Sequence, residues 1–249
     1  MGKLDGKVAL VTGSGRNIGR ATVLKLASEG AHVVVNSRTN QAEADAVAQE
    51  ARARGVNALS VLADVSKQDQ VEAMVARALS EFGRLDILIN NAAIRPHKPF
   101  TELTVQDWEA VRGVVLDGAL YCTRAVIGSM VANRYGRILF FTGEGAFTGG
   151  AGRAHVSAAK MGLVGMARSL ASEFAASNIR VNVVSPGSID TTRANPEWYG
   201  GRAPNAAGIP LGRQGTVDEI AATCLFLVSD DGGFITGQTI HVNGGVAYY

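Results

Sequence analysis

The sequence contains little of what marks several whole classes of protein. It has 249 residues but only two cysteines, Cys122 and Cys224. Two are too few for a disulfide framework, and neither lies at metal-ligand spacing from another Cys or a His, so both are expected to be buried core thiols. Lysine and arginine total 24 against 22 acidic residues. With no run of either sign, the chain shows no electrostatic footprint for nucleic acid.

Long uninterrupted apolar runs are also missing. None approaches the roughly 20 residues that a membrane-spanning helix needs, and the chain begins with a strand pattern instead of a secretory leader. Hydrophobic residues nevertheless make up 47% of the chain, which is enough for one large core. We therefore expect a single cytoplasmic domain covering residues 1–249, with no membrane and no nucleic-acid partner.

Short β-branched runs alternate with longer segments of helical periodicity. This alternation is typical of a parallel sheet covered on both faces. The sequence predicts an α/β fold, a Rossmann-type doubly wound parallel sheet of seven strands flanked by helices. The expected strands are 8–12, 32–36, 58–63, 87–90, 137–142, 180–185 and 239–243, and the expected helices are about 18–29, 41–54, 67–82, 104–132, 152–176 and 217–228.

Local signals refine this prediction at helix starts and at one long connection. Thr216 and Glu219 have the spacing of a capping box, and Ser66 and Thr104 are candidate N-caps, each with an aspartate three residues later. The segment 188–215 is rich in Gly, Pro, Asn and Ala. It is long for a connection, which indicates a substrate lid.

The stretch VALVTGSGRNIGRA, residues 8–21, passes from the first strand into the first helix. Its glycines at 13, 15 and 19 allow a tight turn and a close approach of the backbone to a ligand. The following helix start offers unpaired N–H groups and the positive end of a dipole. The stretch therefore predicts a loop that binds the pyrophosphate of a dinucleotide.

This loop and four further motifs resemble the short-chain dehydrogenase/reductase family over almost the whole chain. Thr12, Gly13 and Gly19 match the family's Thr-Gly-x-x-x-Gly-x-Gly loop, and Asn17 stands at the middle glycine. Asparagine tolerates left-handed backbone angles better than most residues. The other motifs are ADV at 63–65, NNAA at 90–93, SPGSIDT at 185–191 and GQTIHVNGG at 237–245.

The resemblance implies which residues hold the cofactor. Asp64 is expected beside the adenine ring, and the segment from Pro186 to Thr191 beside the nicotinamide. The full implied set is Gly13, Ser14, Gly15, Arg16, Asn17, Ile18, Gly19, Ser37, Arg38, Asp64, Val65, Asn91, Ala92, Lys160, Pro186, Gly187, Ile189 and Thr191.

The end of the second strand distinguishes the two nicotinamide cofactors. An acidic residue there would bind the ribose diol of NAD, but the sequence is Asn36-Ser37-Arg38, and Arg16 lies within the phosphate loop. A guanidinium suits a 2′-phosphate by charge and planar geometry. These arginines favour NADP(H) over NAD(H), unless both are ordinary solvated side chains.

The family resemblance also implies a catalytic Asn, Ser, Tyr and Lys, and most of these are missing. Aligned with the family, Val115 takes the place of the Asn, Gly143 of the Ser and Val156 of the Tyr, while Lys160 is kept. The 13-residue interval from 143 to 156 is the one that the family usually shows. A general acid contributes roughly 10²–10⁴-fold and an oxyanion donor about 10²–10³-fold, so the family's usual route is not expected here.

Several polar residues are candidate replacements. His155, beside the lost tyrosine, and Glu144, after the lost serine, are candidate acids or bases; a packing or capping histidine and a solvated or lysine-paired loop acid are the alternatives. Arg95 and His97 are candidate ligands for an acidic substrate, or simply an exposed basic loop. Trp198, in the expected lid, would stack on a substrate ring or pack the lid down.

Three functions remain open on the sequence. The first is an oxidoreductase that moves hydride between NADP(H) and a small carbonyl or alcohol, with catalysis by Lys160, His155 and Glu144. The second is a non-redox lyase, dehydratase or isomerase that uses His155 and Glu144. The third is an inactive dinucleotide-binding module. Each is compatible with a homo-oligomer, a dimer or tetramer, because the helices from Thr104 and from Gly152 carry broad apolar faces.

Overall fold

Seven parallel strands form one sheet in the computed structural model, which describes residues 2–191 and 206–249. Their order is β3-β2-β1-β4-β5-β6-β7, which confirms the predicted doubly wound arrangement. The strands are β1 (Val8–Val11), β2 (His32–Ser37), β3 (Ala58–Leu62), β4 (Ile87–Asn90), β5 (Gly136–Phe141), β6 (Ile179–Pro186) and β7 (Thr239–Val242).

Helices follow the strands along the described chain. They are α1 (Asn17–Ser28), α2 (Gln41–Arg52), α3 (Gln68–Phe82), α4 (Val105–Arg112), α5 (Gly118–Ala132), α6 (Glu144–Thr148), α7 (Ala154–Phe174) and α8 (Val217–Val228). A π-helical turn, Gly113–Asp117, joins α4 to α5, so the expected long helix is continuous but contains a bulge. The sequence did not predict α6, because its glycine-rich surroundings favour a loop.

The core has two layers, one on each face of the sheet. Successive strand residues point to opposite faces, so Phe140 packs on the side of α3, α5 and α7, while Leu139 and Phe141 pack on the side of α1, α2 and α8. Both cysteines are buried thiols, as expected. Burial on both faces explains why the strand sequences are continuously apolar.

Two of the three predicted helix N-caps are confirmed. Thr104 and Thr216 both form complete capping boxes, with Asp107 and Glu219 respectively. The prediction for Ser66 was wrong: Lys67 is the N-cap residue of α3 and no side chain caps it. The Ser66 hydroxyl instead donates to the Asp64 carboxylate at 2.7 Å, because a short Asx-type turn satisfies it locally.

The continuous helix Val105–Ala132 is, among the described residues, long and apolar enough to cross a membrane, with a mean hydropathy of 1.4. It passes by length and composition only and is not an uninterrupted apolar run, since Arg112, Asp117 and Arg124 lie within it. The helix contributes Val111, Val126 and Met130 to the core against the sheet. Packing on the sheet accounts for its apolar composition.

A buried carboxylate organises the end of the sheet opposite the carboxyl ends of the strands. Asp86 is fully buried, and its Oδ2 accepts a hydrogen bond from the backbone N–H of Val8 at 2.9 Å. The guanidinium of Arg84 donates to both carboxylate oxygens at 2.6–3.0 Å. The carboxylate thus ties the start of β1 to the segment before β4.

We expect Asp86→Ala to lower the free energy of unfolding by about 3 kcal/mol, because it orphans a buried N–H and the partner arginine. Urea denaturation monitored by circular dichroism measures the change. Asp231→Ala is the matched control, since its ion pair with Lys3 is about half exposed and should contribute little. Equal losses in the two variants would contradict the assignment.

Candidate active site

A cavity of about 710 Å³ runs along the carboxyl ends of the strands. It lies where β1 is flanked by β2 and β4, the point at which the strand order reverses and where open α/β sheets place their ligands. It extends from the loop after β1 to Lys160 and Thr191. The remaining lining residues are Gly13, Gly15, Arg16, Asn17, Ile18, Gly19, Asn36, Ser37, Arg38, Thr39, Asn40, Glu43, Ala63, Asp64, Val65, Asn91, Ala92, Ala93, Ile94, Arg95, Val114, Phe141, Thr142, Gly143, Pro186, Gly187 and Ile189.

The loop after β1 has the backbone shape that the sequence predicted. Gly13 has φ 61° and Asn17 has φ 50°, so asparagine does occupy a left-handed position. The Gly13 N–H donates to the Asn36 side chain at 3.0 Å. Asn91 donates to the carbonyls of Thr12 and Gly13 at 2.9 and 3.0 Å. Two neighbouring strands therefore fix the loop through side-chain amides.

The same loop forms a cradle that fits a pyrophosphate. A Cβ added to Gly19 would lie 2.6 Å from the Gly13 carbonyl oxygen and 2.7 Å from the Ser14 Cα, so only glycine permits this approach of helix and loop. Arg16 is the N-cap residue of α1, and its side chain does not cap the helix. The helix start thus presents its N–H groups and dipole to the cavity.

Both predicted arginines lie at one end of the cavity. Arg16 and Arg38 are exposed and line it. Glu43, which sequence analysis missed, lines it as well and lies beside Gly15, with its Oε2 3.2 Å from where a Cβ of that glycine would stand. Glu43 could have been found from its place in the first turn of α2. This end is therefore mixed in charge, not purely cationic.

Ser14 is the one predicted cofactor residue that does not line the cavity. Its side chain is fully buried, and its hydroxyl donates to the Val11 carbonyl at 2.7 Å. The same hydroxyl accepts from the Asn36 N–H at 3.1 Å. Ser14 thus joins β1 to β2 below the cavity floor, and the other 17 predicted residues lie on the cavity wall.

Lys160 lies at the opposite end of the cavity in a nearly closed environment. Its side chain, on α7, is almost fully buried, and Nζ donates to the Phe141 carbonyl at 2.5 Å. Burial, followed by the nearby charge of Arg95, lowers the pKa of Lys160 to about 7. Because desolvation disfavours the ammonium form, this amine exists in both protonation states near neutral pH.

The positions aligned with the family's Asn, Ser and Tyr differ in their surroundings. Val115 lies in the π-helical turn and Val156 in α7, and both belong to the apolar core. Gly143 leaves open space, since an added Cβ would meet only the Pro186 carbonyl oxygen, at 3.8 Å. None of these three positions supplies a side-chain hydroxyl or amide.

Glu144 lies behind Gly187, a residue of the cavity wall. Glu144 begins α6, and its Oε2 is buried without a hydrogen-bond partner in the described chain. Oε2 lies 2.8 Å from where a Cβ of Gly187 would stand, and Gly187 lines the cavity. Burial raises the pKa of Glu144.

His155 is in the first turn of α7 and does not line the cavity. Its ring is 2% exposed, and burial lowers its pKa. Of the two residues expected at the substrate, Arg95 lines the cavity, whereas His97 packs over Gly152. Trp198 lies outside the described residues, as do residues 192–205 of the expected lid.

Comparison with known proteins gives the class of this site. The fold is a Rossmann-type α/β fold with its cavity at the carboxyl ends of the strands. A family profile described as "Enoyl-(Acyl carrier protein) reductase" matches residues 13–247. The chain belongs to the short-chain dehydrogenase/reductase family, as the sequence motifs indicated.

Curated relatives match the chain over nearly its full length. The 3-oxoacyl-[acyl-carrier-protein] reductase of Synechocystis sp. is 39% identical over 253 residues, covering 100% of both chains. The (2S)-[(R)-hydroxy(phenyl)methyl]succinyl-CoA dehydrogenase subunit BbsD of Thauera aromatica is 40% identical and covers 97% of each. FabG of Staphylococcus aureus is 39% identical, covering 96% of this chain and 98% of its own. These relatives show an oxidoreductase lineage.

The lowered pKa of Lys160 predicts a pH-dependent stability. The unfolded lysine has a pKa of 10.5 and the folded one about 7, so between these values the unfolded state binds the extra proton. Stability of the native protein should therefore rise with pH from 7 to 10.5. In Lys160→Met this rise should be absent. The difference in free energy of unfolding between the variant and the native protein should therefore favour the variant most at or below pH 7. It should shrink by on the order of 4 kcal/mol toward pH 10.

Urea denaturation of both proteins from pH 6 to 10 measures this difference. Lys67→Met, on an exposed side chain, controls for the removal of an ammonium group. A constant difference between Lys160→Met and the native protein across this range would show that Lys160 is not desolvated.

Proposed function

We propose that the protein is an NADP(H)-dependent oxidoreductase that transfers hydride between the cofactor and a small carbonyl or alcohol. The observation that carries this proposal is one continuous cavity, from the glycine cradle at α1 to the buried amine of Lys160. Two relatives are named as a 3-oxoacyl-[acyl-carrier-protein] reductase and a (2S)-[(R)-hydroxy(phenyl)methyl]succinyl-CoA dehydrogenase subunit. These names support a substrate in which a carbonyl or hydroxyl lies near a thioester.

The proposed active site is non-standard. It takes Val115, Gly143 and Val156 as the positions at which the family has its Asn, Ser and Tyr, with Lys160 kept. Support comes from the side chains themselves: Val115 and Val156 are apolar and packed in the core, and Gly143, on the cavity wall, has no side chain. The proton at the substrate oxygen must then come from another group.

Lys160 is the group best placed to carry that proton. It alone of the three catalytic candidates lines the cavity, and its pKa of about 7 lets Nζ give or accept a proton at neutral pH. Arg95 adds a second positive charge that stabilises negative charge on the substrate oxygen. Gly143 leaves room for a substrate substituent beside β5. The bound dinucleotide supplies or accepts the hydride.

Glu144 and His155 have secondary places in this mechanism. Glu144 is separated from the cavity by Gly187, and its raised pKa would let it exchange protons with Lys160 through water. His155 lies behind the cavity wall and is not assigned a contact with the reacting atoms.

A non-redox reaction remains the second candidate, because Glu144 and His155 both have buried polar atoms without partners in the described chain. Turnover without net cofactor consumption, lost in His155→Ala, would favour it over hydride transfer.

The protein is proposed to act as a single cytoplasmic domain in a homo-oligomer. Leu120 and Val131 on α5 and Met161 on α7 are each 38–40% exposed, and apolar side chains on two long helices favour burial against another subunit. A dimer or tetramer would cover them. The segment 188–215 is proposed as the substrate lid, and Trp198 within it as a substrate contact.

For the cofactor, we expect NADPH to bind at least tenfold more tightly than NADH, because Arg16 and Arg38 both lie beside the cavity. Arg38→Ala should weaken NADPH binding on the order of tenfold and leave NADH unchanged. Fluorescence titration of the two nucleotides measures both affinities. Arg77→Ala, an exposed arginine on α3, is the control; equal NADPH and NADH affinities would show that Glu43 offsets the arginines.

For the reaction, we expect deuterium from 4-deuterated NADPH to appear at the carbon of a reduced 3-oxoacyl thioester or small ketone. Lys160→Met should lower kcat by at least about 10²-fold, while Gly143→Ser/Val156→Tyr should raise it by about 10²-fold or more because both polar groups return. Mass spectrometry of the product detects the label.

Two results would reject hydride transfer. Tight NADPH binding with no label transfer to either 3-oxoacyl thioesters or small ketones would favour an inactive dinucleotide-binding module. Turnover of a substrate without label or cofactor consumption would favour the non-redox enzyme.

A further inference from the structure

Two loops meet at the start of α7, next to the reaction end of the cavity. The Lys98 N–H donates to the Gly152 carbonyl at 3.0 Å, and the Arg153 guanidinium donates to the Arg95 carbonyl at 2.7 Å. The ring of His97 packs on Gly152 so closely that an added Cβ would lie 2.5 Å from it. The loop after β4 and the loop before α7 are therefore one joined unit that carries several basic side chains.

The helix that starts at this junction presents an uncapped N-terminus. Helix α7 spans the 21 residues Ala154–Phe174. Its N-cap residue, Arg153, makes no side-chain cap, and its first turn contains no acidic residue. A helix start with these properties attracts anions through its N–H groups and dipole.

A second, independent feature points to a ligand at this place. His155 is 2% exposed, and neither ring nitrogen has a hydrogen-bond partner among residues 2–191 and 206–249. An imidazole always carries at least one N–H donor. A buried donor without an acceptor is unfavourable, so this ring is poised to donate to a group that arrives from outside the chain.

The largest single charge effect on the His155 ring comes from the Asp107 carboxylate. Three basic groups, Lys98, Arg153 and His97, act on the ring in the opposite sense to Asp107. Asp107 is itself held by Lys98 at 2.6 Å and by Thr104, which keep its pKa well below the ordinary value. Three basic groups therefore accompany one carboxylate that Lys98 already pairs, a composition suited to an anion.

We propose that the N-terminus of α7, together with His155, Lys98 and Arg153, binds an oxyanion, and that this oxyanion is a carboxylate or phosphate group of the substrate. Arg95 connects the two sites, since it lines the cavity and its charge acts on Lys160. Only the identity of the ligand as a substrate rests on the proposed function; the oxyanion site itself does not.

Imidazole NMR tests the site directly, because the chain has only four histidines. The ¹H–¹⁵N signals can be assigned with single His→Gln variants and followed as inorganic phosphate or butanoate is added. We expect saturable shifts of the His155 and His97 signals with a Kd below about 10 mM. The His32 ring, which stacks on Phe82, is an internal control and should not shift in this way.

Charge variants sharpen the test. Lys98→Gln removes a cation and leaves Asp107 without its ion-pair partner, so the Kd should rise at least about tenfold. Arg153→Gln provides a second variant in case the first perturbs folding. Lys67→Gln, with an exposed side chain remote in sequence, is the matched control. The proposal would be overturned if no saturable shifts appeared. It would also be overturned if Lys98→Gln and Arg153→Gln both bound the anion as tightly as the native protein does.

The outcomes distinguish this inference from the proposed redox activity. The titration needs neither nucleotide nor turnover, so saturable binding without deuterium transfer supports the oxyanion site and rejects the oxidoreductase. Deuterium transfer without anion binding supports the oxidoreductase and rejects the oxyanion site. If both hold, competitive inhibition by phosphate or butanoate against the carbonyl substrate supports a substrate oxyanion, whereas inhibition that is not competitive rejects that assignment and leaves a site for a separate anion.

Discussion

The parallel pairing of β1 with both β2 and β4 is the contact on which the candidate site depends. Val11 pairs with Val35 on one side and with Ile89 on the other. The connections after β1 and β4 therefore leave the same edge of the sheet, and the chain turns to opposite faces there. The cavity lies along this edge. Apart from Ser14, the residues proposed to contact the cofactor line this cavity from the strand ends and from the loops and helices that follow them.

Desolvation governs the chemistry of this site more than any specific polar partner does. An ammonium group buried against the Phe141 carbonyl loses most of its hydration, and this shifts its titration toward neutral pH. In a site that offers a tyrosine, the lysine would act on a neighbouring hydroxyl. Val115 and Val156, by contrast, belong to the apolar core and carry no hydroxyl or amide. The same burial lowers the stability of the fold at neutral pH, a common cost of functional sites.

Sequence patterns located the strands, most helices and the phosphate loop, because apolar periodicity and glycine placement act locally. The left-handed Asn17 was foreseen for the same reason. Residues just beyond strand ends were harder. Ser14 turns under the loop and Glu144 turns behind Gly187, and both orientations depend on neighbouring strands that are distant in sequence. His155 was recognised as a candidate, but its surroundings come from two loops that spacing alone does not bring together.

The π-helical turn at Gly113–Asp117 has a consequence for the cavity wall at Val65. A π turn adds one residue to the helix, which rotates everything after it by about 100° relative to an uninterrupted α-helix. After this rotation Gly118 faces Val65, so closely that an added Cβ would lie 2.9 Å from its side chain. Val65 in turn lines the cavity. The bulge therefore works as a spacer: removing one residue there would present a different side chain to Val65 and push the cavity wall inward.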